Sequence, residues 1–176
     1  MIKSVEIGLE GLTALLMHRY PMEPVVAIEK KTREEQAEIS AYRCPEDDEL
    51  YVPGINIQRA LVAAAAYSKG KGRATLQKQA AACFLVEPEY VRLGISDYTI
   101  DSRPVVMPAT KGRVIRHRPR IDKWKIAFTL QYDDALLSEM QLREIVDNMG
   151  QRVGLLDFRP EKKGPFGRCV VIQWGR

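Results

Sequence analysis

The sequence predicts an α+β fold of the ferredoxin-like type, a βαββαβ core in which two helices cover one face of an antiparallel sheet. Three observations carry this expectation. Val5, Ile7 and Leu9 alternate with polar or small neighbours near the start, and Trp124, Ile126, Phe128, Leu130 and Tyr132 alternate with Lys125, Ala127, Thr129 and Gln131 later on. Alternation of period two marks strands with one buried face. Leu136, Leu137, Met140, Leu142, Ile145, Val146 and Met149 then recur at helical spacing, as an amphipathic helix requires.

In chain order, residues 2–10 form the first strand, ended by Gly11. Leu15, Leu16 and Met17 anchor the next stretch in the core and leave His18 and Arg19 at an edge. A lone His there reads either as a general base or as a positioned, partly buried side chain with a backbone partner; no nucleophile or acid completes a catalytic set around it. Residues 21–50 form a charged N-terminal insertion. Within it, residues 29–38 carry many charges and few apolar anchors, the pattern of a short exposed helix or of a mobile excursion. The run Glu46-Asp47-Asp48-Glu49 lacks the alternate spacing of a calcium loop and reads as a solvated acidic turn.

A Pro53-Gly54 turn opens the first core helix, which runs to about Tyr67 with Ala63 to Ala66 supplying high helix propensity. The loop after it carries Lys69, Lys71 and Arg73 between glycines. It lacks the order of a phosphate-binding P-loop and follows a helix where that motif follows a strand, which excludes nucleotide hydrolysis by this route. Thr75 to Ala82 is a second helical stretch. Strand signals follow at Phe84-Leu85-Val86, Tyr90-Val91-Arg92-Leu93 and Tyr98-Thr99-Ile100, with Glu87-Pro88-Glu89 as a turn. Residues 98–122 form a basic β-hairpin projection whose tip lies at Pro108 to Lys111. After the Trp124 strand, Asp133-Asp134 offers a helix N-cap, Gly150 ends the helix, and the last strand runs from about Arg168 to Trp174.

The connection over residues 150–168 is long for a compact domain, glycine-punctuated and basic, with Arg159, Lys162, Lys163 and Arg168. Its glycines permit conformations closed to other residues and let another chain approach closely. The neighbouring cations point to phosphates on that chain. Arg159 and Arg168 pairing with Asp157 or Glu161 is the purely structural alternative.

The 176 residues suit one domain, residues 1–176, with a real core. The composition is 45% hydrophobic and 28% charged, as in ordinary globular chains. No apolar run approaches the roughly 20 residues of a membrane span, and the charged start lacks the apolar region of a signal peptide, so a cytoplasmic protein without membrane contact is expected. Cys44, Cys83 and Cys169 are odd in number and lack CxxC spacing, which argues against disulfides and structural zinc; Cys83 and Cys169 are expected to be buried. No metal or other cofactor is expected. The net charge of +4 is modest, but residues 103–125 concentrate Lys111, Arg113, Arg116, Arg118, Arg120, Lys123 and Lys125 against Asp122. A local positive field of that kind attracts a polyanion.

The ferredoxin-like plan with a glycine-rich connection before its last strand resembles the RAMP superfamily of CRISPR-associated proteins, whose folds are ferredoxin-like or RRM-like. Tyr51-Val52-Pro53-Gly54-Ile55-Asn56-Ile57-Gln58-Arg59-Ala60-Leu61 looks like the strand-to-helix turn of the backbone, crRNA-binding subunits. Residues 150–168 look like their glycine-rich loop, and the hairpin looks like their thumb. Leu15 to Arg19, Arg118-Pro119 with Arg116, and Asp157 to Pro160 with Gly164 to Arg168 resemble small single-domain relatives carried by phages and mobile elements. The chain is shorter than the full-size backbone subunits.

The resemblance implies a non-enzymatic protein that coats RNA or single-stranded DNA as a side-by-side homo-oligomer, or as a subunit of a ribonucleoprotein. The candidate contacts are His18, Arg19, Lys69, Lys71, Arg73, Lys111, Arg113, Arg116, His117, Arg118, Arg120, Arg159, Lys162, Lys163 and Arg168. The aromatics of the Trp124 strand share its core face, so contact with the nucleic-acid backbone is expected there in place of base stacking. Two alternatives stand beside this reading: an endoribonuclease of the same superfamily using His18 or His117, and a protein-binding mimic of a CRISPR subunit whose contact surface is the acidic insertion.

Overall fold

Alternating apolar residues place β1 (Ile2–Gly11) at the centre of a four-stranded sheet, and a computed structural model describes residues 1–175, Val25 by its backbone alone. The chain continues through β2 (Leu15–Leu16), the short helices α1 (Val25–Glu29) and α2 (Arg33–Ile39), β3 (Tyr51–Pro53) and α3 (Gly54–Ala64), which a 3-10 turn extends over Ala65–Tyr67. Next come α4 (Gln77–Cys83), β4 (Leu85–Glu87), β5 (Tyr90–Arg92), the hairpin strands β6 (Thr99–Val106) and β7 (Arg113–Ile121), β8 (Lys125–Asp133), α5 (Glu139–Asn148) and β9 (Cys169–Gly175). The result is a mixed α and β chain with antiparallel sheets.

The main sheet has the order β4-β8-β1-β9, each neighbour antiparallel. Val5 faces Leu130, Ile7 faces Phe128 and Leu9 faces Ile126, so the alternating residues meet on one buried face. Ile57 and Leu61 of α3 and Leu142, Ile145 and Val146 of α5 join them in the same core. Burying one such side chain contributes roughly 1.5–3 kcal/mol, which fixes the strand register, because a slip of one residue turns the set outward. On the opposite face, β1 and β8 present Ser4 with Gln131, Glu6 with Thr129, Gly8 with Ala127 and Glu10 with Lys125. That surface has acids and small residues and no aromatic on which a base stacks.

β6 and β7 pair from Thr99–Arg120 to Val106–Arg113, and β2 adds a third strand beside β7. β4 and β5 belong to different sheets: β4 pairs with β8, whereas β5 pairs with β3.

The insertion is folded. Thr32 caps α2 in a reciprocal arrangement with Glu35, and Gln36 and Ala37 are buried. Arg43 ties the segment down, pairing with Glu38 and donating through Nη1 to the carbonyls of Asp48 and Ser96, both at 2.9 Å. The acidic run is an exposed turn, as expected, with 79% of the Glu46 side chain exposed, and it gathers around a cation that its own segment does not supply. Arg92 lies among its carboxylates, bonded to Asp47 and 3.2 Å from both Glu46 and Glu49.

Two local expectations are corrected. Asp133-Asp134 does not cap the second core helix: β8 remains paired as far as Asp133, opposite Ile2, and Ser138 supplies the cap with Gln141. The Asp133 carboxylate instead accepts from the Ala135 N–H at 3.0 Å. Cys44 and Cys169 are the buried thiols, whereas Cys83 is half-buried. Among the described residues no helix is long and apolar enough to cross a membrane, and no cluster of three His, Cys, Asp or Glu side chains is arranged to hold a metal ion.

Candidate nucleic-acid interface

His18 stands where the hairpin, the insertion and the 150–168 connection meet. The three residues before it, Leu15, Leu16 and Met17, have no exposed surface. The Met17 N–H donates to the Pro119 carbonyl at 3.0 Å, and the Arg19 N–H donates to the Ser40 carbonyl at 2.9 Å. This pinning leaves the His18 side chain at the surface with 37% of it exposed. Its imidazole is held below the ordinary histidine range, chiefly by desolvation; the Asp157 charge opposes that shift, and Arg118 and Arg116 add to it.

The 150–168 connection is not an open loop. It starts with a π-helical turn over Met149–Val153 and contains a 3-10 turn over Pro160–Lys162. Backbone bonds from Leu155 to Gly167 (3.0 Å), Asp157 to Leu16 (3.0 Å) and Gly167 to Ala14 (2.9 Å) fold it onto itself and onto β2. Its glycines are spent on that folding. A Cβ on Gly164 would collide with the Phe158 carbonyl, and one on Gly167, where φ is +76°, with the Leu155 backbone. The close approach that these glycines allow is therefore made by the chain's own backbone, which corrects the expectation that they are open to another chain.

A buried ion-pair cluster joins this connection to the hairpin. Arg118 is 4% exposed; its Nη1 bonds the Asp157 carboxylate and its Nη2 lies 3.8 Å from Asp101. Arg103 grips Asp101 through Nε (2.7 Å) and Nη2 (2.6 Å) while lying over the rings of Phe166 and Phe158, 4.8 and 5.5 Å from their centroids. Burial alone would raise the Asp101 carboxyl; the Arg103 bonds, with the charges of Arg103, Arg118 and Arg120, outweigh it and hold the group below the usual carboxylate range. Arg120 pairs with Asp122 at 2.7 Å and sits 5.7 Å over Phe166. Arg159 is held by Glu161 (2.7 Å) and by the Leu156 carbonyl (2.9 Å). Arg118 and Arg159 thus serve the architecture first, as the structural alternative for Arg159 holds.

Two concavities share His18 as a wall. One, of about 390 Å³, lies between α3 and the connection, lined by Asn56, Arg59, Tyr42, Asp157 and Arg159 among others. The other, of about 150 Å³, lies between the hairpin root and the insertion, with Arg116, His117, Arg118 and Gln36 in its lining. Arg116, Lys111 and Arg113 have no ion-pair partner among the described residues, and Lys111 and Arg113 are exposed at the hairpin tip. His117 is half-buried, its Nδ1 2.7 Å from the Ser102 hydroxyl.

The remaining candidates lie elsewhere. Lys69, Lys71 and Arg73 occupy the loop beyond α3, next to α5 through the Ser68–Asn148 contact of 3.3 Å. Lys162 and Lys163 are exposed on the 3-10 turn, and Arg168 and Arg19 are exposed outside both concavities. Asn56 and Arg59, which sequence reasoning did not nominate, line the larger cleft. Their spacing of three on a helix whose Ile57 and Leu61 are buried is the signal that identifies them.

No known protein family matches the chain, and no curated protein is significantly similar to it. Solved structures do resemble it, among them a chain in the cryo-EM structure of Type III-B Cmr-beta bound to cognate target RNA, with a TM-score of 0.57 at 12% identity. The likeness is one of fold. It takes in 98% of this chain and 60% of that one, so this chain spans less than two thirds of its neighbour's length.

Proposed function

We propose that this chain binds single-stranded nucleic acid, RNA foremost, through its phosphates and without cleaving it, as a relative of the RAMP-type backbone subunits. The observation that carries the reading is a set of cations without ion-pair partners among the described residues: Arg59 in the α3 cleft, Arg116 in the hollow that shares His18 with it, and Lys111 and Arg113 at the hairpin tip. Charges already neutralised within the fold have little left for a ligand, whereas these remain available to phosphates. The sheet order β4-β8-β1-β9, taken with α3 and α5 as the two core helices, supports the ferredoxin-like reading of the core. The acidic, aromatic-free open face of that sheet favours contact with the phosphate backbone along the hairpin and cleft over base stacking on the strands.

Side-by-side assembly on the strand, or membership of a ribonucleoprotein, is part of the proposal. Titrating a labelled RNA and a single-stranded DNA of equal length, with mass measured in solution, tests it. Stoichiometric binding, growth of mass with strand length and an intact strand are expected. Turnover of the RNA, lost in His18→Ala or His117→Ala, would replace this reading with the endoribonuclease. Absence of binding to either strand would overturn it.

A further inference from the structure

We infer that the larger cleft leads, at the far end of α3, to a base-stacking subsite built from Tyr67 and Arg152, which takes one unpaired base of a single strand. The inference rests on the proposed function, since the strand that supplies the base is the one held in the cleft. Tyr67 closes the 3-10 turn after α3 and is 53% exposed. Arg152, in the π-helical turn, lies over its ring with the guanidinium carbon 5.3 Å from the centroid. Arg152 is itself exposed and has no ion-pair partner among the described residues. A phenol ring and a guanidinium plane at the surface are flat groups on which unstacked bases settle, and the open face of the β1 and β8 strands offers neither ring nor guanidinium.

Both walls of the cleft lead to this pair. On one wall, Arg59, Ala63 and Tyr67 recur at intervals of four, on successive turns of α3 and its extension, and Arg59 and Ala63 line the cleft. From Arg59 to Tyr67 the helix rises about 12 Å. On the other wall, Gly154 lines the cleft two residues beyond Arg152. The turn that follows Tyr67 adds charge, and its base is pinned. Ser68, 1% exposed, accepts from the Asn148 amide at 3.3 Å, and the Leu76 N–H donates back to the Ser68 carbonyl at 3.1 Å. Lys69 pairs with Thr75 across the turn, and Gly72, at φ +67°, lies at its tip. Lys69, Lys71 and Arg73 are exposed and have no ion-pair partner among the described residues. Uncompensated charge of one sign beside a ring draws a polyanion towards it. An exposed Arg–Tyr contact by itself is ordinary surface packing. Here an aromatic surface, an anchored basic turn and the mouth of a cleft adjoin one another, which is the chemistry of a site for single-stranded nucleic acid.

The test compares wild type, Tyr67→Ala and Tyr67→Trp by fluorescence anisotropy with two labelled strands of equal length: an RNA, and an abasic strand that keeps the phosphates and lacks the bases. Tyr67→Ala is expected to bind the RNA about five- to hundredfold more weakly than wild type, the loss of one base–aromatic stack. Its salt slope is expected to stay unchanged, because no phosphate contact is removed. Tyr67→Trp keeps the wild-type affinity. All three proteins are expected to bind the abasic strand equally, since it has no base to stack. A Tyr67→Ala that weakens both strands by the same factor shows that Tyr67 only supports the fold, and overturns the inference. RNA affinity of Tyr67→Ala indistinguishable from that of wild type overturns it too, and leaves the proposed function standing. If wild type binds neither strand, the proposed function falls and this subsite falls with it.

Discussion

Replacing Gly167 by Ala separates two uses of a glycine, and the structure sets the size of the effect. At φ +76° an L-residue costs about 1–2 kcal/mol. The added Cβ also falls 2.7 Å from the Leu155 nitrogen and 2.9 Å from its carbonyl carbon, backbone atoms that cannot rotate away. Overpacking of that kind adds about 1–3 kcal/mol, for a total of about 2–5 kcal/mol. Gly72 has a similar φ of +67° with nothing within 4 Å, so Gly72→Ala isolates the conformational part. Gly112→Ala meets the Thr110 hydroxyl at 3.4 Å, ordinary contact, and is expected to cost about 0.5 kcal/mol or less. Urea unfolding of the three variants should rank them Gly167, Gly72, Gly112, from most to least destabilised. If Gly167→Ala keeps full stability and loses RNA binding, the glycine serves a bound strand and the self-packing account of the connection is wrong.

Asp157→Ala leaves buried Arg118 without its Nη1 partner. Breaking a fully buried pair costs about 3–5 kcal/mol; with Asp157 32% exposed, about 2 kcal/mol is expected. For a domain of this length that lowers Tm by about 4–8 °C, and an unchanged Tm contradicts the pairing. The lowered His18 value means that the unfolded chain binds the extra proton first, so the contribution of His18 is complete above about pH 6.5 and is lost as pH falls through the folded value. The stability difference between wild type and His18→Gln should therefore shrink between pH 7.5 and pH 5; a difference that grows on acidification refutes the assignment. Burial pushes the Cys169 thiol up to about 12, so mass spectrometry after mild alkylation of the native protein should find Cys83 modified well before Cys44 and Cys169.

Residues with a local or periodic signal were legible in the sequence. Val5, Ile7 and Leu9 and the Trp124 to Tyr132 series occupy the buried face expected of them, and the hairpin turns at the expected tip. What the sequence did not reveal depends on partners distant along the chain. Nothing near Glu46 to Glu49 announces Arg92, and nothing near Arg118 announces Asp157, yet these pairs decide which charges remain for a ligand. The misplaced helix cap has the same origin: Asp133 looks like a cap until its pairing with Ile2 is known. The glycines of the connection reflect backbone crowding, which residue type alone does not distinguish from room left for a partner. Asn56 and Arg59 were readable from their helical spacing, but their value as a site depends on Tyr42 and the connection closing the cleft in front of them.

The salt dependence of RNA binding tests the central claim most directly. Four cations meeting four phosphates of a single strand give a log–log slope of about −3, hence a fall in affinity of roughly 60-fold between 50 and 200 mM salt. Removing two of them in Arg113→Gln/Arg116→Gln should reduce the slope by about 1.4 while the protein stays folded. Binding that is indifferent to salt, or a slope that the double variant leaves unchanged, would contradict the account.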